Sequence, residues 1–365
     1  MNSDIYSSSK FLHHPDRLAI LKAGGQPPPV HVQLIISDYC THDCAWCAYR
    51  MSGYSSNEQF QIEPGQTRKA RNPKRFIPFE KCLEIIDDAV DLGVRCIQFT
   101  GGGEPCIHPE FVRIAQYSLD RGLETALVTN GSMLHKPEYR AVINQMAWVR
   151  ISIDAGTPET YCETRGVGRG MWDSVIQGIE DLCKESIDDP VVGIGYVATP
   201  QNWTEMHDGV KLFKSLGVDN VRLGLMFNPE GSKPFEEFRY DLAYLALKAE
   251  EDFTDDNFTV INRVSEKMDE LDAGSPTFKT CHYQHLTTYV GGNQVVYRCC
   301  VNAYNQRGAI GSIHNRRFKD LWESQEKQAN MANFDSRSCE RCQFTEIINN
   351  IDDYIKRPPI HVDFV

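Results

Sequence analysis

Val30-His31-Val32-Gln33-Leu34-Ile35-Ile36-Ser37-Asp38-Tyr39-Cys40-Thr41-His42-Asp43-Cys44-Ala45-Trp46-Cys47 joins an apolar run to three cysteines spaced C-x3-C-x2-C. Residues 30–36 read as a buried strand, and the cysteine loop follows its C-terminal end. Three thiolates on one short loop hold three corners of a metal cluster and leave the fourth open to chemistry. A fully ligated cluster is closed, and serves structure or electron transfer.

Outward from this stretch, apolar strands alternate with amphipathic helices. Strands are expected at 94–99, 123–129, 148–154, 191–198 and 221–226, each followed by a helix. Helices are expected from Pro78 to a stop at Gly93, over 109–120, 137–144, 204–216 and 235–252, and around Met171, Val175, Ile179 and Leu182. Six such units imply a parallel sheet covered by helices, curled into a barrel or left open and doubly wound. Ligands in either case sit at the C-terminal ends of the strands, where Cys40–Cys47 lies.

Residues 1–30 end in Gly24-Gly25-Gln26-Pro27-Pro28-Pro29 and read as a leader that holds no regular structure past the glycines. Beyond residue 255 the alternation breaks into short strands at 286–290 and 294–297 and a helix near 318–325. This reads as a second, smaller domain over 256–350, poor in apolar material and in need of a staple, with 351–365 as a tail. Residues 51–75 form a polar insert with Arg68, Lys69, Arg71, Lys74 and Arg75, read either as a solvated loop or as a lid facing an anion.

The formal charge of −12 argues against a general binder of phosphate backbones. The polar first residues lack a signal-peptide core, and no run approaches the roughly 18–20 apolar residues of a membrane span, so the expected location is cytoplasmic. Thirteen cysteines in that compartment are reduced thiols, and short spacings among them point to metal rather than disulfides.

Over residues 31–227 the sequence resembles the radical S-adenosylmethionine (SAM) superfamily. The resemblance implies a partial (β/α)6 TIM-like barrel in which Cys40, Cys44 and Cys47 bind a 4Fe-4S cluster that chelates SAM, with Trp46 near the adenine. Thr100-Gly101-Gly102-Gly103-Glu104-Pro105 is similar to the family's Gly-Gly-Glu motif, which receives the SAM ammonium; Glu104 is the anionic acceptor. Arg150-Ile151-Ser152-Ile153-Asp154 is similar to the strand that reaches the ribose, and period two puts Ser152 and Asp154 on one face. Arg165 either matches an arginine that often pairs with the SAM carboxylate or is a surface residue. Asn130 either lies near the cofactor or is a turn residue.

Cys281, Cys299, Cys339 and Cys342 resemble the ligand set of a twitch domain, the shortened relative of the SPASM domain. That resemblance implies one auxiliary 4Fe-4S cluster in a small C-terminal α+β domain. Four cysteines also suit tetrahedral zinc, and Cys300 competes with Cys299 as a ligand. Cys82, Cys96, Cys162 and Cys183 read as small apolar fillers. Cys106, which follows the Gly-Gly-Glu motif, is either a filler or a hydrogen donor to a product radical.

The implied activity is reductive cleavage of SAM and hydrogen abstraction from substrate, leading to oxidation, epimerisation or rearrangement of a small anionic, sugar-like, nucleotide-like or peptide substrate. A flavodoxin or ferredoxin is the expected one-electron reductant. Two rival expectations are an RNA-modifying or methyl-transferring radical SAM enzyme, and an iron-sulfur redox module without catalysis.

Overall fold

The computed structural model describes residues 7–49, 75–186 and 190–357. The alternation of apolar and polar positions resolves into seven strands in sequence: β1 (His31–Leu34), β2 (Cys96–Phe99), β3 (Glu124–Thr129), β4 (Trp148–Ser152), β5 (Val191–Ala198), β6 (Asn220–Leu225) and β7 (Thr259–Asn262). Successive strands pair in parallel in chain order. Helices cover the outer face, including Phe79–Asp91, Phe111–Asp120, Pro137–Ile143, Arg169–Glu185, Met206–Ser215 and Arg239–Phe253.

Each strand sends its alternate residues into a core packed against those helices. Val32, Leu34, Ile97, Phe99, Val149, Ile151, Ile194 and Leu223 are all fully or almost fully buried in it. The intervening positions, such as Gln33, Gln98, Arg150 and Ser152, are only half-buried and face the inner side of the sheet. One face is therefore apolar and fixed by packing, and the other is free to carry polar chemistry.

The six expected strand and helix units are present, and β7 is a seventh strand that the sequence reading passed over. After it, helix Val264–Ala273 leads to β8 (Thr287–Val290), which pairs in parallel with β1 on its free side. β9 (Val295–Tyr297) and β10 (Ala309–Ser312) then continue antiparallel, giving one ten-stranded sheet from β10 to β7. Its two edges do not pair among the described residues, so the barrel is partial. The cysteine-bearing segment beyond residue 255 thus borders the cysteine loop directly.

Regular structure also reaches parts of the chain that the sequence leaves irregular. Helix Pro15–Lys22 stands before Gly24, and helix Thr345–Lys356 runs across residue 350. Their apolar sides meet in a small cluster of Phe11, Leu18, Leu21, Val30, Leu286 and Ile351. Among the described residues no helix is long and apolar enough to cross a membrane. The basic insert lies outside the described residues except Arg75, which binds the buried Asp38 carboxylate at 2.5 Å.

Candidate active site

The loop after β1 is held from three sides by segments that follow β2, β3 and β4. From β2, the Gly103 and Glu104 amides donate to the Ser37 and Tyr39 carbonyls at 3.1 and 2.8 Å. From β3, the Asn130 side-chain amide donates to Thr41 Oγ1 at 3.0 Å and meets the His42 ring at 2.6 Å. From the helix after β4, Pro158–Arg165, the Thr164 and Arg165 carbonyls accept from the Ala45 and Asp43 amides at 2.9 and 2.8 Å. Three separate anchors fix a loop that has no regular structure of its own.

Close approach explains the glycine run. A Cβ on Gly103 would lie 2.1 Å from the Tyr39 carbonyl oxygen, and one on Gly102 would lie 2.8 Å from both Asp38 Oδ1 and Tyr304 Oη. Side chains at either position would push the cysteine loop away.

Glu104 is buried where these anchors meet. Its carboxylate accepts from Thr129 Oγ1 at 2.6 Å, the Asn130 amide at 2.7 Å and the Cys106 amide at 3.0 Å. Burial raises its pKa, and the three donors pull the other way. Arg165 is buried as well. It donates to Cys44 Sγ at 3.1 Å and to the Ile153 carbonyl at 3.3 Å, and pairs with the Asp154 carboxylate. Asp154 also accepts from the Val197 amide at 2.7 Å and adopts a φ of 55°.

Cys40, Cys44, Cys47, Glu104, Ser152 and Arg165 all line one cavity of about 190 Å³, together with Gly101–Gly103 and Asn130. Trp46 and Asp154 instead line a neighbouring cavity in the barrel lumen, which shares Ser152 and Val128 with the first. The donor set fits a cluster with an open corner: three thiols on one wall, backbone glycine on another, and both a carboxylate and a guanidinium within the lining. Among the described residues no three Cys, His, Asp or Glu side chains converge as a single metal ion needs. In a multi-iron cluster each thiolate binds its own iron, so such convergence is not required.

The family model described as the radical SAM superfamily matches residues 34–213, which contain this whole cavity. Residues 34–213 are a radical SAM domain. Members use a 4Fe-4S cluster and SAM. Among curated relatives, an AdoMet-dependent heme synthase of Methanosarcina barkeri is 31% identical over 40% of this chain and 41% of its own length. A GTP 3',8-cyclase of Alkaliphilus oremlandii is 26% identical over 56% of this chain and 58% of its own. A mycofactocin maturase, MftC, of Mycobacterium ulcerans is 26% identical over 49% of each. The matches thus span roughly half the length of these relatives.

Among solved structures, Streptococcus suis SuiB bound to its precursor peptide SuiA superposes with a TM-score of 0.63 at 14% identity, covering 98% of this chain and 82% of that one. Native anSMEcpe with bound AdoMet superposes with a TM-score of 0.58 at 16% identity, covering 89% and 96%. At these identities the likeness is one of fold, and it extends past the radical SAM domain to the C-terminal segment.

That segment brings its cysteines together. The Asn302 side-chain amide donates to Cys339 Sγ at 3.2 Å and stands 3.9 Å from Cys299 Sγ. Burial pushes the Cys281 thiol up to about 12, with Cys342 and Cys339 as like-charged neighbours, and raises Cys299, Cys339 and Cys342. Thiols grouped this way resist ionising together unless a cation is added, which a metal cluster supplies. Cys299 has Cys300, Cys281 and Cys339 as neighbours, and Cys300 has Lys267 and Cys342, so both lie beside members of the set.

Two residues join the two cysteine sets. Tyr304 donates from its hydroxyl to the Asp38 carboxylate at the base of the first loop, and Tyr49, two residues past Cys47, hydrogen-bonds Tyr289 of β8 at 2.9 Å.

Cys106 is buried in the apolar core on a single 3-10 turn, Pro105–Ile107, and is not among the residues lining the cavity. Its backbone amide supports Glu104, and this placement lends no support to a hydrogen-donor role. Sequence reasoning missed His42, which is buried against the Tyr161 hydroxyl at 2.9 Å. Burial, then Arg165, lowers its pKa to about 3, so it is neutral. Its position between two of the cysteines was the available signal. Arg150 and Arg222 were missed too, although Arg150 precedes Ser152 by the two residues that put both on one face of β4.

Proposed function

We propose that this protein is a radical SAM enzyme whose SAM-binding cluster is held by Cys40, Cys44 and Cys47. A second, auxiliary 4Fe-4S cluster is held by Cys281, Cys299, Cys339 and Cys342. The observation that carries this reading is the single cavity that combines the three thiols with Glu104, Ser152 and Arg165. A cluster held by Cys40, Cys44 and Cys47 would supply, when reduced, the electron for cleavage of SAM and hydrogen abstraction from a substrate.

The chain's own residues bind and orient. Glu104, Ser152, Asn130 and the Gly101–Gly103 backbone present polar groups to SAM, Trp46 adds an aromatic face, and Arg165 holds a positive charge beside Cys44. The adjoining lumen cavity, which meets the SAM cavity at Ser152 and Val128, receives the substrate and excludes water from the reacting bond. The substrate is a small molecule or a peptide, the range spanned by the relatives named heme synthase, GTP cyclase and maturase. A flavodoxin or ferredoxin supplies the electron.

The deciding experiment is anaerobic reconstitution, reduction and addition of SAM. Release of 5′-deoxyadenosine, lost when Cys44→Ala is tested, is the expected result. Release of S-adenosylhomocysteine instead would indicate methyl transfer, and no SAM-derived product would leave only a redox module. About eight irons per chain are expected for two clusters.

A further inference from the structure

Tyr304 has an uncommon backbone for a buried aromatic residue. Its φ is 57°, in the left-handed region where a Cβ crowds the main chain, and the residue is fully buried. Such strain persists only where the surroundings over-determine it, and it gathers at functional positions. Among the described residues the other non-glycine positions with positive φ are Asp154, at the end of β4, and Gln294, in the turn between β8 and β9, where that conformation is ordinary.

Both ends of Tyr304 are committed. Its backbone closes the segment that begins at Cys299, a 3-10 turn over Cys300–Asn302. In that segment the Ala303 amide donates to the Cys300 carbonyl at 3.4 Å, and the Asn302 side chain donates to Cys339 Sγ at 3.2 Å. At the other end the Tyr304 hydroxyl donates to the Asp38 carboxylate and accepts from the Gly292 amide at 2.9 Å. Asp38 is buried and stands two residues before Cys40. The same hydroxyl lies against Gly102 in the wall of the SAM cavity, where an added Cβ would be 2.8 Å from it. Tyr289 makes a similar approach, donating to the Gly101 carbonyl at 3.4 Å, but β8 is fixed by its pairing with β1. Tyr304 lies outside any strand, so its place depends on what holds segment 299–304.

We propose that Tyr304 is a positioning residue for the SAM cavity, and that its seat depends on whether the second cysteine set is filled. Metal at Cys281, Cys299, Cys339 and Cys342 fixes the turn after Cys299 and keeps Tyr304 left-handed, with its hydroxyl on Asp38. With the set empty, the turn relaxes to negative φ and the hydroxyl withdraws from Asp38 and Gly102. SAM therefore binds more tightly when the second set is filled, and by linkage bound SAM helps that set retain its metal. This rests on reading the first cavity as the SAM site and the second set as a metal site.

The test is equilibrium dialysis of SAM against the anaerobically reconstituted full chain, with iron measured in each sample. Four proteins are compared: wild type; Tyr304→Phe, which keeps the ring and removes the hydroxyl; Cys281→Ala/Cys342→Ala, which empties the second set without touching the turn; and the combination. Tyr304→Phe and the cysteine pair are each expected to weaken SAM binding roughly fivefold or more, and the combination to be little weaker than either. Wild-type affinity in Tyr304→Phe, or losses that multiply in the combination as a purely structural role implies, overturns the proposal. Melting temperatures check the fold. If the cysteine pair melts early, chelator challenge decides: SAM should slow iron loss from the second set of the wild type and not of Tyr304→Phe, and equal slowing in both overturns the proposal. A wild type that binds no SAM defeats the reading of the cavity and this inference with it. A wild type that binds SAM no better than Tyr304→Phe defeats this inference alone.

Discussion

Arg165 donates to the Cys44 thiol at 3.1 Å with one nitrogen of its guanidinium while the other pairs with Asp154. The same side chain therefore reaches a proposed cluster ligand and the acid at the end of β4. Both charges are buried, so neither tolerates loss of the other.

Arg165→Gln is expected to destabilise the protein by about 3–5 kcal/mol, because it strands a buried carboxylate. Arg165→Lys keeps the charge but not the fork, so it should recover part of that loss while leaving the Cys44 contact weakened. Chemical denaturation of the two variants checks this. A Gln variant as stable as wild type would mean that Asp154 is solvated or protonated in the fold.

Asn130 is bonded to the cysteine loop through Thr41 and His42, and its carbonyl accepts from the Ser132 amide at 2.9 Å. Asn130→Ala is expected to cost about 1–3 kcal/mol in stability, since it leaves buried partners unsatisfied. It should also lower iron retained at the first cysteine set after reconstitution, while iron at the second set is unchanged. Iron analysis with Mössbauer spectroscopy separates the two. Equal iron content in wild type and variant would show that the β3 anchor is dispensable to the loop.

These two residues also mark what could be read in advance. The sheet was legible because its buried face repeats strictly: five of the six expected strands shift by no more than two residues at either end, and Val191–Ala198 matches outright. β7 was not, since Thr259–Asn262 is short and follows a polar stretch, and its place is set by pairing with β6. The cysteine, Gly-Gly-Glu and Ser-x-Asp motifs were legible as types, and Ser152 and Glu104 do line the cavity. What the sequence could not display is that Arg165 and Asp154 turn to each other, or that β8 docks on β1 and brings Tyr304 to Asp38. Those are contacts between residues far apart in the chain, and no local periodicity encodes them.

His285 is buried, with the cations Lys327, His282 and Arg298 facing it, and its pKa falls from the ordinary 6.5 to about 3, by burial first and then by those charges. Below pH 6.5 the unfolded chain takes up a proton that the folded chain refuses until about pH 3. Stability from this group is thus full above 6.5 and is lost as pH falls, at about 1.4 kcal/mol per unit. His285→Gln lacks that slope. Denaturant unfolding at pH 7 and pH 5 should show the wild type losing about 2 kcal/mol more than the variant over that interval. Parallel losses would show that His285 is protonated inside the fold.

Arg298 is the cation nearest in kind to a counter-charge for the second cysteine set. Burial lowers its pKa to about 10, and Cys281, Cys299 and Cys339 oppose that shift as neighbouring negative charges. Its guanidinium is fixed by Gln284 at 2.6 Å, by Asn330 and by a stack on Phe334 at 4.0 Å, so it holds station beside the thiols. A fixed positive charge next to a cluster favours the reduced, more negative state. Arg298→Gln, which retains hydrogen-bonding capacity, should shift the auxiliary midpoint to more negative potential and leave the SAM-binding cluster unshifted. Redox titration followed by electron paramagnetic resonance reads the two separately. An unmoved auxiliary signal would place that cluster away from Arg298 and count against the assignment of Cys281, Cys299 and Cys339 as its ligands. Zinc in place of iron at the site would remove the auxiliary signal from wild type and variant alike.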